Sequence, residues 1–181
     1  MELRSRGVWL GVLAMTVVVT ASNILVQYPI NDWLTWGAFT YPISFLVTDL
    51  SNRRLGAGPA RRVVYAGFIV AVVLSAWLAT PRIAIASGSA FLVAQLLDVR
   101  IFDLLRQRVW WLPPFLSSVI ASAVDTALFF AVAFAGTGVP WVTLALGDYL
   151  AKLALAVAML VPYGGALRLS RTRGASDQLH S

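Results

Sequence analysis

Four aspartates interrupt stretches that are otherwise almost wholly apolar: Asp49 in YPISFLVTDL, Asp98 in FLVAQLLDV, Asp125 in SSVIASAVDTALFF and Asp148 in TLALGDYLAKLALAV. A charged residue at the centre of a transmembrane helix costs roughly 2.5–3.5 kcal/mol, so four carboxylates in one small chain point to a lined polar cavity. Polar and aromatic residues recur around them at helical spacing. Phe91, Gln95, Asp98 and Phe102 fall on one helical face, as do Ser118, Ser122, Asp125 and Phe129. Each series sets a polar residue three positions before the aspartate and an aromatic four after it. Tyr41, Phe45 and Asp49 follow at four-residue steps, and Asn23 and Gln27 add the same step near the N-terminus.

Such stripes suit a flat, polar heterocycle. Aromatic faces stack on the ring, while carboxylates, amides and hydroxyls satisfy donors and acceptors along its edge. A carboxylate accepts two parallel N–H bonds, which matches the ring N–H and exocyclic amine of a guanine-like base. A phosphorylated or strongly acidic cargo is disfavoured, because Lys152 is the only lysine and it has a carboxylate partner in sequence.

The four aspartates differ in their local partners. Asp148 and Lys152 are four apart and are expected to form an intrahelical ion pair of mainly structural role. Asp49 and Arg53 have the same spacing. Asp98 is followed by Arg100 and by Asp103, which lies toward the interface, and Asp125 has no cation within a helical turn. Asp98 and Asp125 are therefore the carboxylates expected to read the cargo edge, with Asp49 as a third member. Ser117, Ser118 and Ser122 equally suit close helix approach or bonds to their own backbone, and Asn23 and Gln27 equally suit interhelical hydrogen bonds.

The elements that must position these residues follow from hydropathy. Of 181 residues 59% are hydrophobic and 12% charged, against about 45–50% and about 25% in a typical soluble chain, and mean hydropathy is +0.79. Counted against the roughly 20 residues a membrane helix needs, the chain offers six spans, near 8–28, 34–51, 63–80, 83–105, 112–136 and 141–163. The expected class is thus an all-α integral membrane protein of six transmembrane helices, with the second short or irregular because it carries Gly37 and Pro42. Residues 1–7 form an N-terminal stretch, 8–165 the transmembrane domain and 166–181 a basic, polar tail. Arg4, Arg6, Arg53, Arg54, Arg61, Arg62, Arg106, Arg108, Arg168, Arg171 and Arg173 flank one set of loops and Arg82 alone the other. The positive-inside rule then places both termini in the cytoplasm. Pro113 and Pro114 open the fifth span and Pro140 precedes the sixth, while Trp33, Trp36, Trp110, Trp111 and Trp141 fall at segment ends, as an aromatic belt requires.

Several classes are excluded. The +6 charge is explained by topology, so no nucleic-acid partner is expected. The first apolar run exceeds a signal-peptide core of about 7–15 residues and is retained as a span. Cysteine is absent, the one histidine is His180 in the tail, and no P-loop occurs, which removes thiol, Ser–His and His-metal chemistry and any resident ATPase. Neither an enzyme nor a cofactor is expected.

The strings TYPISFLVTDLSNRRLG at 40–56, FLVAQLLDVRIFDLLR at 91–106 and SSVIASAVDTALFFAVAF at 117–134 resemble the queuosine precursor transporter family, also called vitamin uptake transporter-like. The resemblance runs from about Asn23 to Pro162. It implies a six-helix importer of 7-deazaguanines in the bacterial inner membrane, chiefly 7-cyano-7-deazaguanine and 7-aminomethyl-7-deazaguanine, salvaged for queuosine in tRNA. Carried onto this chain, its motif positions are Tyr41, Pro42, Phe45, Asp49, Gln95, Asp98, Phe102, Ser118 and Asp125. Two departures bear on substrate preference: Ala121 and Ser122 stand where members often have a glutamine, and Leu112, Pro113, Pro114 and Phe115 where an arginine and asparagine are common. The expected partners are a small deazapurine and the lipid bilayer, with a homodimer left open. A proton on Asp98 or Asp125 would couple transport to a gradient. The alternatives are a substrate-binding subunit of an energy-coupling-factor transporter that borrows an ATPase, or a membrane scaffold without transport.

Overall fold

A computed structural model of the chain describes residues 2–25, 28–31, 34–78, 80–138 and 141–179. In chain order these form α1 (Glu2–Leu25), β1 (Pro29–Asn31), β2 (Leu34–Thr35), α2 (Gly37–Thr40), α3 (Ile43–Leu55), α4 (Ala57–Leu78), α5 (Pro81–Leu105), α6 (Leu112–Phe134) and α7 (Trp141–Leu179). The architecture is an all-α bundle, save for the small antiparallel hairpin β1–β2. Within the described residues α1, α4, α5, α6 and α7 contain 5 segments long and apolar enough to cross a bilayer.

The second expected span departs most from a regular crossing. Where 34–51 reads as one segment, the chain forms a two-residue strand, a single helical turn and then α3. With 13 residues, α3 reaches about 20 Å at 1.5 Å per residue, short of the ~30 Å hydrocarbon layer. The break falls at Tyr41 and Pro42, and Pro42, at φ −61°, opens α3 with a ring that needs no N–H partner. At the far end Gly56 adopts φ 96°, a left-handed conformation open to glycine, so α4 starts at residue 57 rather than 63. The last helix runs on through Pro162 to Leu179, well past the expected end at 163.

A polar seam holds α3 against α5. Thr48 Oγ1 donates to Gln95 Oε1 at 2.6 Å, Gln95 Nε2 donates to Ser44 Oγ at 2.8 Å, and Asn52 Nδ2 donates to the Val99 carbonyl at 2.8 Å. All five residues are buried. In a membrane interior, where water offers no alternative partner, such bonds average about 0.6 kcal/mol each and reach about 1.7. Arginines finish the seam: Arg53 Nη1 donates to the Arg106 carbonyl at 2.7 Å, and Arg106 Nη2 donates to the carbonyl and side-chain oxygens of Asn52.

The apolar core lies between α1, α4 and α5, around Met15, Val19, Val63, Val64, Phe91 and Val99. Gly67 permits this approach, since a Cβ there would fall 2.5 Å from Met15 Cγ and 3.2 Å from Phe91 Cζ. Outward-facing Trp9, Leu13, Val17, Ile69, Trp77, Ile85 and Val161 form the apolar surface a bilayer would cover. Trp36, Trp110 and Trp111 are exposed near helix ends, as the belt expectation requires; Trp33 and Pro140 lie outside the described residues.

Candidate functional site

One cavity of about 330 Å³ opens among α1, α2, α4, α5, α6 and α7, within the ~300–1,000 Å³ range usual for small-molecule sites. Ser22 and Asn23 reach it from α1, Ser87 and Phe91 from α5, and Phe129, Phe130 and Phe134 from α6. Its floor holds Tyr41, Asp125, Asp148 and Lys152. The three α6 phenylalanines pack edge-on or tilted, with Phe129 and Phe130 centroids 5.2 Å apart at 89°, and form an aromatic wall. The Ser22 hydroxyl is buried here without a hydrogen-bond partner among the described residues. Asn23 Nδ2 donates to the Val19 carbonyl at 2.9 Å.

Lys152 ties the floor together. Its ammonium lies 2.8 Å from Asp125 Oδ2, 2.6 Å from Asp148 Oδ2 and 3.0 Å from Thr126 Oγ1, and 5.5 Å from the centre of the Tyr41 ring. Tyr41 donates its hydroxyl to Asp125 Oδ1 at 3.0 Å, and Thr126 donates to Asp148 Oδ2 at 2.7 Å. Both Asp125 oxygens are therefore engaged, whereas among the described residues no hydrogen bond reaches Asp148 Oδ1. The Asp148 side chain is 22% exposed and Asp125 6%, so Asp148 presents the more accessible carboxylate edge. Two carboxylates facing one ammonium leave a surplus negative charge. The floor can accept N–H donors or a cation, and it disfavours an anion.

This arrangement corrects the reading of Asp125 as a carboxylate without a cation. Its cation comes from 27 residues away on the next helix, a partner that a search within one helical turn cannot find. Asp148 and Lys152 do sit as an i,i+4 pair, yet both also line the cavity.

On the other side of Lys152 the bundle is closed. A narrow cleft of about 10 Å³, no larger than one water requires, is lined by Phe45, Asp49, Ser118, Ser122, Lys152 and Tyr163 among others. Asp49 on its wall and the buried Asp98 stand next in sequence to Thr48 and Val99, whose hydrogen bonds tie α3 to α5, so both carboxyls belong to that seam. Ser117 Oγ donates to Asp49 Oδ1 at 3.3 Å. Both Asp98 oxygens are fully buried without a hydrogen-bond partner among the described residues. No ion pair joins Asp49 to Arg53 among those residues, because Arg53 turns to the Arg106 carbonyl instead.

The expected site residues thus separate into groups. Asn23, Tyr41 and Asp125 line the cavity; Phe45, Asp49, Ser118 and Ser122 line the closed cleft. Gln95, Asp98 and Phe102 are fully buried beside α3, with Phe102 edge-on to Tyr163 at 6.4 Å. Gln27 lies outside the described residues. Phe91 and Phe129 stand on the expected stripes, whereas Ser22, Ser87, Phe130 and Phe134 were not singled out. Ser22 had a signal, since it stands beside Asn23 on α1, but the phenylalanines lie in an apolar run that spacing alone does not sort into lining and lipid-facing positions.

The comparisons with known proteins agree with the resemblance of the motifs. The family pattern described as "Putative vitamin uptake transporter" matches residues 35–80 and 75–165. The "Queuosine precursor transporter" of Escherichia coli (strain K12) is 37% identical over 188 aligned positions, covering 88% of this chain and 85% of the relative. The "Probable queuosine precursor transporter" of Haemophilus influenzae is 35% identical, covering 84% of this chain and 83% of its own length, and a protein of the same name from Bacillus subtilis (strain 168) is 28% identical over 74% and 71%. No solved structure matches the chain.

Proposed function

The chain belongs to the vitamin uptake transporter family and is a multi-pass membrane transporter rather than an enzyme, and from that premise we propose that it imports queuosine precursors, 7-cyano-7-deazaguanine and 7-aminomethyl-7-deazaguanine, across the bacterial inner membrane. The observation that carries this reading is the one-sided cavity with an aromatic wall and the Asp148–Asp125–Lys152 floor. A deazaguanine ring stacks on the phenylalanines and turns its N–H edge to Asp148 Oδ1, while Ser22 supplies a hydroxyl to the opposite edge. The surplus carboxylate favours the aminomethyl cargo, whose amine is a cation, over the neutral nitrile.

Direction follows from charge. Among the described residues Arg53, Arg54, Arg61, Arg62, Arg106, Arg108 and Arg168 stand at the helix ends opposite those that carry the cavity-lining Asn23, Ser87, Phe134 and Leu144, and Arg82 is the one arginine at the cavity end. The positive-inside rule then makes the mouth extracytoplasmic and the closed cleft cytoplasmic. Lys152, Asp125 and Tyr41 separate the two, so passage of cargo requires this knot to part. The arrangement is an outward-open state of an alternating-access cycle.

Binding is tested on the purified chain by thermal shift with the two 7-deazaguanines against guanine and riboflavin. At a hundredfold excess over Kd a ligand stabilises by about 2.7 kcal/mol. Stabilisation by the deazaguanines, larger for the aminomethyl form, is expected; equal response to riboflavin would sink the cargo assignment. Uptake by proteoliposomes holding this chain alone is also expected, and uptake only when an ATPase partner is added would favour an energy-coupling-factor arrangement.

A further inference from the structure

The carboxyls of Asp49 and Asp98 take no part in lining the open cavity, and their geometry calls for something that is not a side chain. They lie in the buried seam where Thr48 and Asn52 bond across from α3 to Gln95 and Val99 of α5, and among the described residues neither Asp98 oxygen has a hydrogen-bond partner. The elements packed around them bring no free cation to them among the described residues. On α3, Arg53 is spent on the Arg106 carbonyl; at the end of α5, Arg106 is spent on Asn52 and Asp103. From α6, Ser117 has one hydroxyl proton, set between Asp49 Oδ1 at 3.3 Å and the Pro114 carbonyl at 3.4 Å, and Ser118 stands beside it. From α7, Tyr163 is near, its hydroxyl buried without a partner, and Lys152 is held by Asp125 and Asp148. The buried face of α4 is Ala60, Val63, Val64, Gly67, Ala71 and Ser75, which brings no charge.

We infer that Asp49 and Asp98 form a proton site separate from the cargo cavity, which holds one proton between the two carboxyls while the cavity is open and releases it when α3 parts from α5. One proton taken from water makes an O–H on Asp49 that donates to Asp98. That single bond supplies the missing donor and removes the repulsion of two carboxylates in a medium of low dielectric constant. Its departure to water on the arginine-rich side restores two negative groups and drives the helices apart at the closed end. Sodium is a poorer occupant, since it requires several more oxygen ligands, and among the described residues no cluster of three or more metal-ligating side chains occurs. The cleft lined by Asp49, Ser118, Ser122 and Lys152 places the proton site next to the floor of the cavity, so that a change in one is felt by the other.

Coupling rests on the transport reading above; the bound proton does not, and the two are tested separately. Infrared difference spectra of the full chain in vesicles, recorded on exchange from water to deuterium oxide and with no cargo present, should contain the C=O stretch of a protonated carboxylic acid at neutral pH. Asp98→Asn and Asp49→Asn should each abolish it, and Asp125→Asn should keep it. Absence of the band in the unmodified chain, or its survival in both Asp98→Asn and Asp49→Asn, overturns the proton site. Uptake of 7-aminomethyl-7-deazaguanine should rise at least tenfold when the outside is made acidic, and Asp98→Asn should bind cargo but lose this response, whereas the exposed Asp103→Asn should retain it. Uptake that ignores the imposed gradient overturns coupling; a band without any uptake leaves the proton site standing and counts against the cargo assignment instead.

Discussion

The two carboxylate pairs inside this bundle meet their charge in opposite ways. Asp125 and Asp148 share an ammonium, a threonine and a tyrosine beside an open cavity, while in the buried seam Asp49 takes one serine hydroxyl and Asp98 none among the described residues. The first pair is compensated by protein and open to the cavity. The second is complete only with something added. The difference teaches that burial alone does not assign a role to an intramembrane carboxylate; the donor count around it does.

Replacing Lys152 breaks that comparison most severely. Lys152→Met strands Asp125 and Asp148 together, and loss of one partner from a buried pair costs about 3–5 kcal/mol. Thermal unfolding in detergent should drop accordingly, and Asp125→Asn with Asp148→Asn in the same chain should restore most of it. Asp125→Asn alone should weaken deazaguanine binding at least tenfold, about 1.4 kcal/mol, because it frees Lys152 to neutralise Asp148; calorimetric titration measures it. In the seam, Thr48→Val removes one interhelical bond to Gln95 and should cost about 0.6 kcal/mol, and at most about 1.7, without changing cargo affinity. The smallest effect belongs to Asp98→Asn. Its amide supplies the donor that the carboxyl pair lacks, so stability should stay within about 0.5 kcal/mol of the unmodified chain, a value in the range of neutral substitutions. A loss as large as that of Lys152→Met would mean that the two pairs are alike.

Local spacing made part of this legible. The Asp148–Lys152 pair and the weakness of the second span, flagged by Gly37 and Pro42, were both readable in the chain. The matching motifs around Asp98 and Asp125 suggested a common cavity, yet the two carboxylates lie at different depths. Counted from the connection at 106–111, Asp98 is seven residues from the end of α5 and Asp125 thirteen into α6, or about 10 and about 20 Å at 1.5 Å per residue. That arithmetic was available in the sequence. The link from Asp125 to Lys152 was not, because it depends on how α6 and α7 rotate against each other. Nor was the choice of Arg53, which by spacing belonged to Asp49 and by packing went to the last turn of α5.

The brevity of α3 bears on how the protein is made. Its 13 residues include Thr48, Asp49, Asn52, Arg53 and Arg54, a composition that gains little from entering lipid alone. The partners that satisfy Thr48 and Asn52 are Gln95 and the Val99 carbonyl, each 47 residues further along the chain. When α3 leaves the ribosome those partners have not been synthesised. Its commitment to the membrane is therefore expected to await α5, with the two helices inserting as a pair and the polar seam serving assembly as well as the finished bundle.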